Sequence, residues 1–444
     1  MREKEFLPQI QTRLGIEELN EMQRRMLAAG TEGRDLILLS PTGTGKTLAF
    51  ILPVLKMLRP STGRVQAVVI APSRELVMQI AGVLQKIGAG MKTTPLYGGH
   101  KFEDEENSLK AGCDIVVATP GRLLDHLKRR TFDALPTRIL VLDEFDKSLE
   151  LGFEEEMRKI SNRLKNVSHM IMTSATRADV LPEFLKLNNP LTLDYLGENR
   201  NLRGRIRVHR VDADSKDKLE SLRVLIDNIW ADGQAGERAI VFVNHRESAE
   251  RVAAYLEKQG YPAVLYHGAM DQRDRESAVA RFNSGSRPIL VATDLAARGL
   301  DIREVKSVIH YHQPLSPEAY THRNGRTARV DADGDVYVLI GPEESVKDYI
   351  ETDDTRWLDP EKTAGPVPRV ETLYIGAGKK EKLSKGDILG FLVKQCGLEP
   401  NQIGAIDVRD HYSLTAVRDA DMTKLLAAAK AGKIKGSRRQ VSIM

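Results

Sequence analysis

The chain has little of what marks secreted, membrane-bound or disulfide-rich proteins. Its 444 residues include two cysteines and two tryptophans, and aromatic residues make up 5% of the total. Cys113 and Cys396 lie far apart without metal-ligand spacing, which indicates a reducing compartment. No apolar run reaches the roughly 18 residues of a membrane-spanning helix, and MREKEFLPQIQTR at the start lacks the apolar core of a signal peptide. We therefore expect a cytoplasmic protein that is not in a membrane.

The chain also lacks a large net charge, but its charge is unevenly distributed. The formal net charge is +4. Residues 371–444 hold 13 Lys/Arg and 8 Asp/Glu, a net +5, so the remaining 370 residues sum to −1. The excess lies in two clusters, Lys379-Lys380-Glu381-Lys382 and Lys433–Arg439. Nucleic acid is the natural partner of such a segment, and a solvated charged face is the alternative.

Two series of apolar runs predict two α/β domains, because runs that alternate with helical stretches are typical of parallel sheets covered on both faces. The runs are Leu36–Leu39, Ala67–Ala71, Asp114–Ala118, Arg138–Leu142 and Met170–Met172, then Ala239–Val243, Ala263–Tyr266, Pro288–Ala292, Ser307–Tyr311 and Asp335–Ile340. A polar stretch at 197–201 and a Pro/Gly-rich stretch at 359–368 mark boundaries. We predict domains at 1–200 and 201–358, a linker at 359–369 and a small domain at 370–444.

A glycine-rich segment predicts a phosphate-binding loop. Ser40-Pro41-Thr42-Gly43-Thr44-Gly45-Lys46-Thr47 stands between the run Leu36–Leu39 and a helix-compatible run. In such a layout, backbone N–H groups wrap nucleotide phosphates at the positive end of the helix. We predict that Lys46 reaches the β- and γ-phosphates and that Thr47 ligates Mg²⁺. For this segment alone, a plain strand-to-helix turn is the alternative.

An acidic motif about a hundred residues later supports this prediction. Arg138–Leu142 leads into Asp143-Glu144-Phe145-Asp146, which places carboxylates at the edge of a parallel sheet where α/β proteins bind ligands. We expect Asp143 to hold Mg²⁺, largely through water, and Glu144 to polarise the water that attacks the γ-phosphate. Ser174-Ala175-Thr176 follows another apolar run, and its hydroxyls are predicted to bond to the acidic motif, with a helix N-cap as the alternative.

The second half lacks a phosphate loop but carries a cluster of arginines. His322-Arg323-Asn324-Gly325-Arg326-Thr327-Ala328-Arg329 spaces three arginines three residues apart. Opposite a γ-phosphate they would neutralise transition-state charge, a role worth about 10³–10⁵ in rate in related phosphoryl transfer. A surface basic patch is the alternative.

These motifs, in this order, resemble those of the DEAD-box ATP-dependent RNA helicases. The resemblance covers roughly residues 14–340, and its further segments are Pro72–Leu76, Gly98-Gly99, Thr119–Arg122, Val241–Asn244 and Gln272 with Arg275. It implies two tandem RecA-like parallel-sheet domains, ATP and Mg²⁺ as cofactors, and RNA-dependent ATP hydrolysis that separates short duplexes.

The resemblance also implies a role for each matching position. Gln23 is implied to read adenine, Asp301 to hold the ribose, and Arg326 and Arg329 to act as arginine fingers. The residues implied to couple the domains are Asp146, Ser174, Thr176, His322 and Arg323. The residues implied to grip the RNA backbone, without reading its sequence, are Arg74, Gly99, Thr119, Arg122, Thr293 and Arg298.

Four departures from the family pattern concern domain coupling, reaction rate or adenine selectivity. Leu19-Asn20 stands where the family has Pro-Thr, Phe145 replaces alanine, Ala328 replaces glycine, and His312-Gln313 replaces Asp-Leu. We expect Phe145 not to touch Mg²⁺. The predicted Mg²⁺ and general-base positions are unchanged.

The last 75 residues predict a small α+β domain of β-α-β-β-α-β order. Its predicted elements are Thr372–Gly376, Lys385–Gln395, Ile403–Val408, Ser413–Val417, Asp421–Ala431 and a basic last strand Lys433–Ile443. The order and the basic ending resemble the RRM-like RNA-binding domain of the bacterial DbpA-type helicases, which act on ribosomal RNA during large-subunit assembly. Because the aromatic signature of ordinary RRMs is absent, RNA contact is expected through basic residues. The candidates are Lys433, Lys435, Arg438 and Arg439.

We therefore predict an ATP-dependent RNA helicase that remodels structured RNA. Ribosomal RNA in large-subunit assembly is the expected substrate, pre-ribosomal particles are the expected setting, and the protein is expected to be a monomer. An ATP-gated RNA clamp with little unwinding is the alternative, and a DNA translocase is a third hypothesis, which the RRM-like domain disfavours.

Overall fold

The computed structural model divides the chain into two compact units, with the break near residue 203. The described residues are 3–30, 32–41, 43–88, 90–177, 181–196, 206–294, 302, 305–327, 333–409 and 411–444. The first unit carries one parallel sheet. The second unit carries another parallel sheet and a small antiparallel sheet.

The first unit is a seven-stranded sheet in its described residues, with the strand order β3-β4-β2-β5-β6-β1-β7 and parallel pairing throughout. The strands are β1 Leu36–Leu39, β2 Ala67–Ile70, β3 Thr93–Leu96, β4 Ile115–Ala118, β5 Ile139–Leu142, β6 His169–Ser174 and β7 Leu191–Asp194. Alternate residues of one strand enter two different cores: Val141 belongs to the cluster on one face and Leu140 to the cluster on the other. Both faces are therefore buried, as the apolar runs predict.

Helices of the first unit cover these two faces. They are α1 Glu3–Leu14, α2 Glu21–Ala29, α3 Lys46–Met57, α4 Arg74–Ile87, α5 Phe102–Lys110, α6 Pro120–Arg129, α7 Phe145–Glu150 and α8 Glu154–Arg163. Helix α2 packs against α3, α1 against α4, and α6 against α8. The α2–α3 contact brings the segment before α2 to the loop that opens α3.

The second unit repeats the sheet of the first. Its strands are β8 Ile206–Asp212, β9 Ala239–Val243, β10 Ala263–Tyr266, β11 Ile289–Thr293, β12 Ser307–His310, β13 Gly334–Ile340 and β14 Asp354–Thr355. Their order, β10-β11-β9-β12-β13-β8-β14, is that of the first sheet strand for strand. The helices are α9 Leu219–Asp232, α10 Arg246–Lys258, α11 Gln272–Ser284 and α12 Pro317–Asn324. The predicted pair of RecA-like sheets is confirmed.

Four strands were not predicted from the sequence, namely β3, β7, β8 and β14. Three of these are edge strands, and β8 lies next to the edge strand β14. Strand β3 contains Pro95, which a central strand would not tolerate, and β8 alternates polar and apolar residues instead of forming an apolar run. Apolar runs also identified the edge strand β10, but the four missed strands are short, contain proline or alternate polar with apolar residues and so form no such run.

The C-terminal domain has the predicted β-α-β-β-α-β order. Its elements are β15 Val370–Ile375, α13 Lys385–Lys394, β16 Ile403–Val408, β17 Ser413–Arg418, α14 Met422–Ala431 and β18 Val441–Ile443, in an antiparallel sheet of order β16-β17-β15-β18. The prediction of a long basic last strand is wrong. Lys435 and Gly436 have φ of 51° and 79°, and Ile434 pairs with Ser437. The basic residues therefore form a turn before a short strand.

The C-terminal domain packs on the second sheet domain through one face of its own sheet. Helix α11 lies against β15 and β17. The hydroxyl of Thr372, a residue 1% exposed, is 2.7 Å from the hydroxyls of both Ser284 and Ser286. The sheet face that carries Thr372 is thus partly covered by a helix.

The segment at 359–369, predicted as a linker, lies along α9. The side-chain amide of Asn228 donates to the carbonyls of Asp359 and Lys362 at 2.8 and 3.2 Å. The N–H of Asp359 donates back to Asn228 at 2.8 Å. Val367 packs against the hydrophobic core of the second sheet.

Within the described residues, no helix has the length and apolar character needed to cross a bilayer.

Candidate active site and nucleic-acid interface

The predicted phosphate loop joins β1 to α3 at the carboxyl edge of the first sheet. The ammonium group of Lys46, a residue 7% exposed, donates to the carbonyl of Ser40 at 2.8 Å. Thr44 donates its hydroxyl to the carbonyl of Pro41 at 2.9 Å, so the hydroxyl of Ser40 donates to Thr44 at 2.7 Å. The loop closes on itself around its lysine. Thr42 lies outside the described residues, Gly43 and Gly45 lie in the loop, and Thr47 lies in the first turn of α3.

Gln23, predicted to read adenine, contacts this loop. It forms a capping box with Asn20: the N–H of Gln23 donates to Asn20 at 2.9 Å, and the N–H of Asn20 donates to Gln23 at 3.0 Å. Asn20 also donates to the carbonyl of Thr44 at 3.1 Å, and Gln23 to that of Gly45 at 3.4 Å. A Cβ on Gly45 would lie 2.6 Å from the Gln23 amide nitrogen, so glycine permits this approach. Asparagine caps a helix as well as threonine does, which explains how Asn20 replaces the family residue.

The acidic motif lies beside the phosphate loop, because β5, β6 and β1 are neighbours in the sheet. Thr173 on β6 donates its hydroxyl to the Asp143 carboxylate at 2.6 Å and accepts the N–H of Glu144 at 3.1 Å. Glu144 has a φ of 45°, a left-handed conformation that costs a non-glycine residue about 1–3 kcal/mol. Thr173 therefore fixes both acidic residues. Sequence reasoning missed it, although it stands immediately before the Ser-Ala-Thr motif.

The charge of Asp143 suits a cation. Asp143 is 3% exposed, and its burial raises its pKa above the ordinary value. The hydrogen bond from Thr173 and the positive charge of Lys46 offset this effect only in part. A buried carboxylate with incomplete compensation fits a hard divalent cation, for which oxygen ligands are preferred. Asp143 and the Thr47 hydroxyl would hold Mg²⁺ there.

The predicted link between the acidic motif and the Ser-Ala-Thr motif is formed by one hydroxyl, not two. Thr176 donates its hydroxyl to Asp146 at 3.0 Å, and the N–H of Ala175 donates to the same carboxylate at 3.1 Å. The hydroxyl of Ser174 instead donates to the carbonyl of Thr176 at 2.6 Å. Ser174 thus shapes the turn and does not reach the carboxylate. Phe145 is 2% exposed and belongs to the hydrophobic core, so its side chain points away from the carboxylates.

In the second unit, Arg323 is buried and pairs within its own domain. Its side chain is 1% exposed, and Nε and Nη2 bind the Asp294 carboxylate at 2.5 and 2.8 Å. Nη2 also donates to Asn244 at 2.8 Å, and Nη1 donates to the carbonyl of His312 at 2.7 Å. The guanidinium therefore joins the ends of β9, β11 and β12 to α12. Sequence reasoning did not identify Asp294 as its partner.

Two histidines near this arginine are held neutral. Burial and the charge of Arg323 lower the pKa of His310 to about 3, and its ring bonds to Asn324 at 2.9 Å. Burial lowers the pKa of His312 to about 4, and its Nδ1 accepts the N–H of Asn244 at 3.2 Å. His312, which replaces the family aspartate, thus acts here as a neutral acceptor.

The other predicted residues of the second unit are only partly described. His322 and Arg326 are buried at 4% and 6% exposure, and half-buried Thr293 ends β11. The predicted residues that lie outside the described residues are Arg298, Asp301 and Arg329, together with Ala328 among the family departures.

The residues of the first unit predicted to grip RNA come together at the ends of neighbouring strands. Arg74 begins α4, and its guanidinium lies against Gly99, where a Cβ would come within 2.5 Å of Nη1. The N–H of Thr119 donates to the carbonyl of Leu96, which places the start of α6 beside the end of β3. Arg122, on the first turn of α6, donates to the carbonyl of His100 at 3.3 Å. The phosphate backbone of an RNA that crossed this edge would meet a helix N-terminus and two guanidinium groups.

The two basic clusters of the C-terminal domain are neighbours in space. The ammonium group of Lys435 donates to the carbonyl of Lys382 at 2.7 Å. Lys433, Lys435 and Arg438 are exposed, whereas Arg439 is half-buried, so it is a weaker candidate for RNA contact than predicted. The clusters lie on loops at one end of the domain and not on the sheet face that α11 covers.

Known families match the whole order of these domains. Residues 20–184 match the DEAD/DEAH box helicase family, residues 217–331 the helicase conserved C-terminal domain, and residues 372–443 the DbpA RNA binding domain. The ATP-dependent RNA helicase DbpA of Escherichia coli is 33% identical over 97% of this chain and 95% of its own length. The DEAD-box ATP-dependent RNA helicase CshA of Bacillus subtilis is 34% identical over 78% of this chain and 70% of its own.

Solved structures support the same relationship. Dbp5 of Saccharomyces cerevisiae, bound to RNA and ADP BeF3, matches 80% of this chain and 93% of its own at a TM-score of 0.69 and 25% identity. The DEAD-box helicase Mss116, bound to ssRNA and UDP-BeF, matches 80% of this chain and 78% of its own at a TM-score of 0.70 and 28% identity.

Thr173→Val tests the hydroxyl that holds the acidic motif. The variant keeps the side-chain shape but removes the donor to Asp143 and the acceptor for Glu144. We expect kcat for ATP hydrolysis to fall about 10- to 100-fold while ATP affinity changes little. Thr137→Val is the matched control, because Thr137 is equally buried and donates to the carbonyl of Val65, away from the acidic motif. Equal kcat in the two variants would contradict the assignment.

Arg323→Ala tests the buried ion pair of the second unit. Removal of the arginine leaves the negative charge of Asp294 without a partner. We therefore expect the free energy of local unfolding around β9 and β11 to fall by about 3–5 kcal/mol. Arg323→Lys should restore little, because lysine cannot bind the carboxylate through two donors. Hydrogen exchange of the β9 and β11 amides in the whole protein measures the loss. Arg246→Ala, at a side chain 54% exposed, is the control and should leave exchange unchanged. Normal protection in Arg323→Ala would refute the structural role.

Proposed function

The chain belongs to the family of DEAD-box ATP-dependent RNA helicases, and from this membership we propose that it remodels structured ribosomal RNA during assembly of the large ribosomal subunit. The chain is an RNA-stimulated ATPase, which converts ATP and water to ADP and phosphate. The closeness of the Asp143–Glu144 pair to the Lys46 loop, through Thr173 and the β5-β6-β1 order, is the observation that carries the enzymatic part.

The proposed chemistry assigns one task to each charged group. Lys46 would bind the β- and γ-phosphates, and Thr47 and Asp143 would hold Mg²⁺, which when bound would neutralise charge on the phosphates. Glu144 accepts a proton from the attacking water, and the bond from its N–H to Thr173 fixes its backbone. Arg326 and Arg329 supply positive charge to the transition state, and Arg323 anchors α12, the helix that precedes Arg326.

The proposed RNA path uses backbone contacts in the core and basic loops in the C-terminal domain. Arg74, Thr119 and Arg122 would bind phosphates at the edge of the first sheet, which positions RNA without reading its sequence. The cluster of Lys433, Lys435 and Arg438 would bind a structured RNA through phosphates. The match of residues 372–443 to the DbpA RNA binding domain supports RNA as the target of this domain, and the resemblance to the DbpA-type helicases favours ribosomal RNA. The proposed setting is a cytoplasmic monomer acting on pre-ribosomal particles.

Glu144→Gln tests the proposed general base. The amide keeps the size of the side chain but cannot accept a proton, so turnover should fall about 10²–10⁴-fold while ATP binding persists. Lys46→Ala should lower both turnover and ATP affinity, because it removes a phosphate ligand. Glu154→Gln, at an exposed position on α8, should match the wild type. Wild-type turnover in a correctly folded Glu144→Gln protein would overturn the assignment.

Neutralisation of the basic turn tests RNA targeting. Lys433→Ala, Lys435→Ala and Arg438→Ala should each weaken binding to a ribosomal RNA fragment and reduce the slope of log K against log salt by about one if each contacts one phosphate. Stimulation of ATP turnover by saturating unstructured RNA should persist. Lys424→Ala, with a side chain 87% exposed on α14, is the matched control for lost charge.

The pattern of loss across two RNAs decides between the alternatives. Equal loss on ribosomal and unstructured RNA would mean that the turn is a general electrostatic contact. No loss on either RNA would mean that it is a solvated charged face. RNA-stimulated turnover without strand separation of a short duplex would favour the ATP-gated clamp.

A further inference from the structure

A buried carboxylate to which no role has been assigned lies between two elements that are proposed to bind RNA. Glu105 on α5 is 3% exposed. One oxygen accepts the N–H of Tyr97 at 2.8 Å and lies 3.0 Å from Nε2 of His100. The other oxygen accepts Nε–H of Arg122 at 2.6 Å and lies 2.8 Å from Nε2 of His126. One carboxylate thus accepts hydrogen bonds from three residues and contacts a fourth, His100.

The partners of His126 define the direction of these hydrogen bonds. Its Nδ1 lies 2.7 Å from the hydroxyl of Thr131, which can donate to it, so Nε2–H donates to Glu105. Burial raises the pKa of Glu105, but hydrogen bonds from His126, the N–H of Tyr97 and Arg122 outweigh it and hold the pKa below its ordinary value. Glu105 is therefore an ionised carboxylate at neutral pH, and Arg122 compensates its charge.

The position of Arg122 depends on this carboxylate. Its guanidinium lies 4.7 Å from the ring centroid of Phe102, and Nη2 donates to the carbonyl of His100 at 3.3 Å. Phe102 in turn stacks on His126 with ring centroids 4.1 Å apart. Glu105 thus bonds directly to Arg122 and also to His126, the ring on which Phe102 stacks. The side chain of Arg122, 15% exposed, is therefore held at the surface in one orientation.

The same carboxylate fixes the loop that contains Gly98 and Gly99. The bond to the N–H of Tyr97 and the contact with His100 hold the loop on both sides of the two glycines. The ring centroids of Tyr97 and His100 are 4.5 Å apart, so the two side chains also pack against each other across the glycines. Arg74 lies against Gly99. One buried charge therefore links the loop under Arg74 to the helix that carries Arg122.

We propose that Glu105 is a positioning residue for RNA: it holds the Arg122 guanidinium and the 97–100 loop in the arrangement that binds phosphates. The proposal rests on the proposed function. A preorganised guanidinium loses less conformational freedom on binding than a mobile one. Glutamine at 105 would keep the volume but replace one acceptor oxygen by an NH₂ group, which would face a donor from Arg122 or from Tyr97.

Glu105→Gln in the full chain tests the role. We expect the Kd for a single-stranded RNA and the KM for RNA in ATP hydrolysis to rise about 3- to 20-fold. The kcat at saturating RNA and the ATP affinity should stay within about twofold of wild type, because only binding is altered. Glu103→Gln, on the same helix and exposed to solvent, is the matched control and should leave RNA binding unchanged. An unchanged Kd in Glu105→Gln would overturn the proposal.

A mutant cycle separates positioning from general damage to the fold. If Glu105 acts through Arg122, then Glu105→Gln in an Arg122→Ala background should weaken RNA binding by less than about twofold further. Losses that multiply in the double variant would overturn the proposal. Absence of RNA-stimulated turnover in the wild type would instead contradict the proposed function, and the RNA titration would still decide the role of Glu105.

His100→Ala serves if Glu105→Gln does not fold. The His100 side chain is 32% exposed, so its removal takes one contact from Glu105 without opening the core. RNA binding should weaken about two- to fivefold, and the loss should disappear in the Arg122→Ala background. Wild-type affinity in a folded His100→Ala protein would overturn the proposal.

Discussion

The parallel order of neighbouring strands is the constraint on which the proposed active site depends. Crossovers of one hand bring the carboxyl ends of β5, β6 and β1 to the same edge, so residues more than a hundred positions apart become neighbours. Thr173 then bonds to Asp143, and the N–H of Ser40 donates to the carbonyl of Ser174 at 3.0 Å. If one strand changed its place in the sheet, the lysine and the carboxylates would no longer share a site.

A buried charged side chain lies at each proposed functional site, and each is held by several partners. Asp143 has Thr173 and the positive charge of Lys46, Glu105 accepts three hydrogen bonds, and Arg323 has Asp294, Asn244 and a backbone carbonyl. An unpaired buried charge is expensive, so such groups persist only where their surroundings satisfy them. The same surroundings prevent the side chains from moving, which is the property that a site for phosphate or Mg²⁺ requires.

The C-terminal domain shows how packing redirects a common fold. Ordinary RRMs stack bases on the open face of their sheet. Here α11 covers β15 and β17. The hydroxyl of Thr372 is within hydrogen-bond distance of the hydroxyls of Ser284 and Ser286 in the second sheet domain. The two basic loops at the end of the domain stay exposed. The ammonium group of Lys435 in one loop donates to the carbonyl of Lys382 in the other. The domain is thereby attached to the second sheet while its basic loops stay exposed.

The sequence by itself determined the two RecA-like sheets, the phosphate loop, the acidic motif and the order of the C-terminal elements, because apolar runs and motif spacing are local properties of the chain. It did not reveal the edge strand Thr93–Leu96, whose proline suits only a sheet margin. Nor did it reveal Thr173, Glu105 or the inward pairing of Arg323. These depend on which strands and helices lie side by side, and a single buried hydroxyl or carboxylate has no sequence pattern of its own. Only the tertiary structure decided them, because hydrogen bonds between residues distant in sequence exist only after the elements have packed.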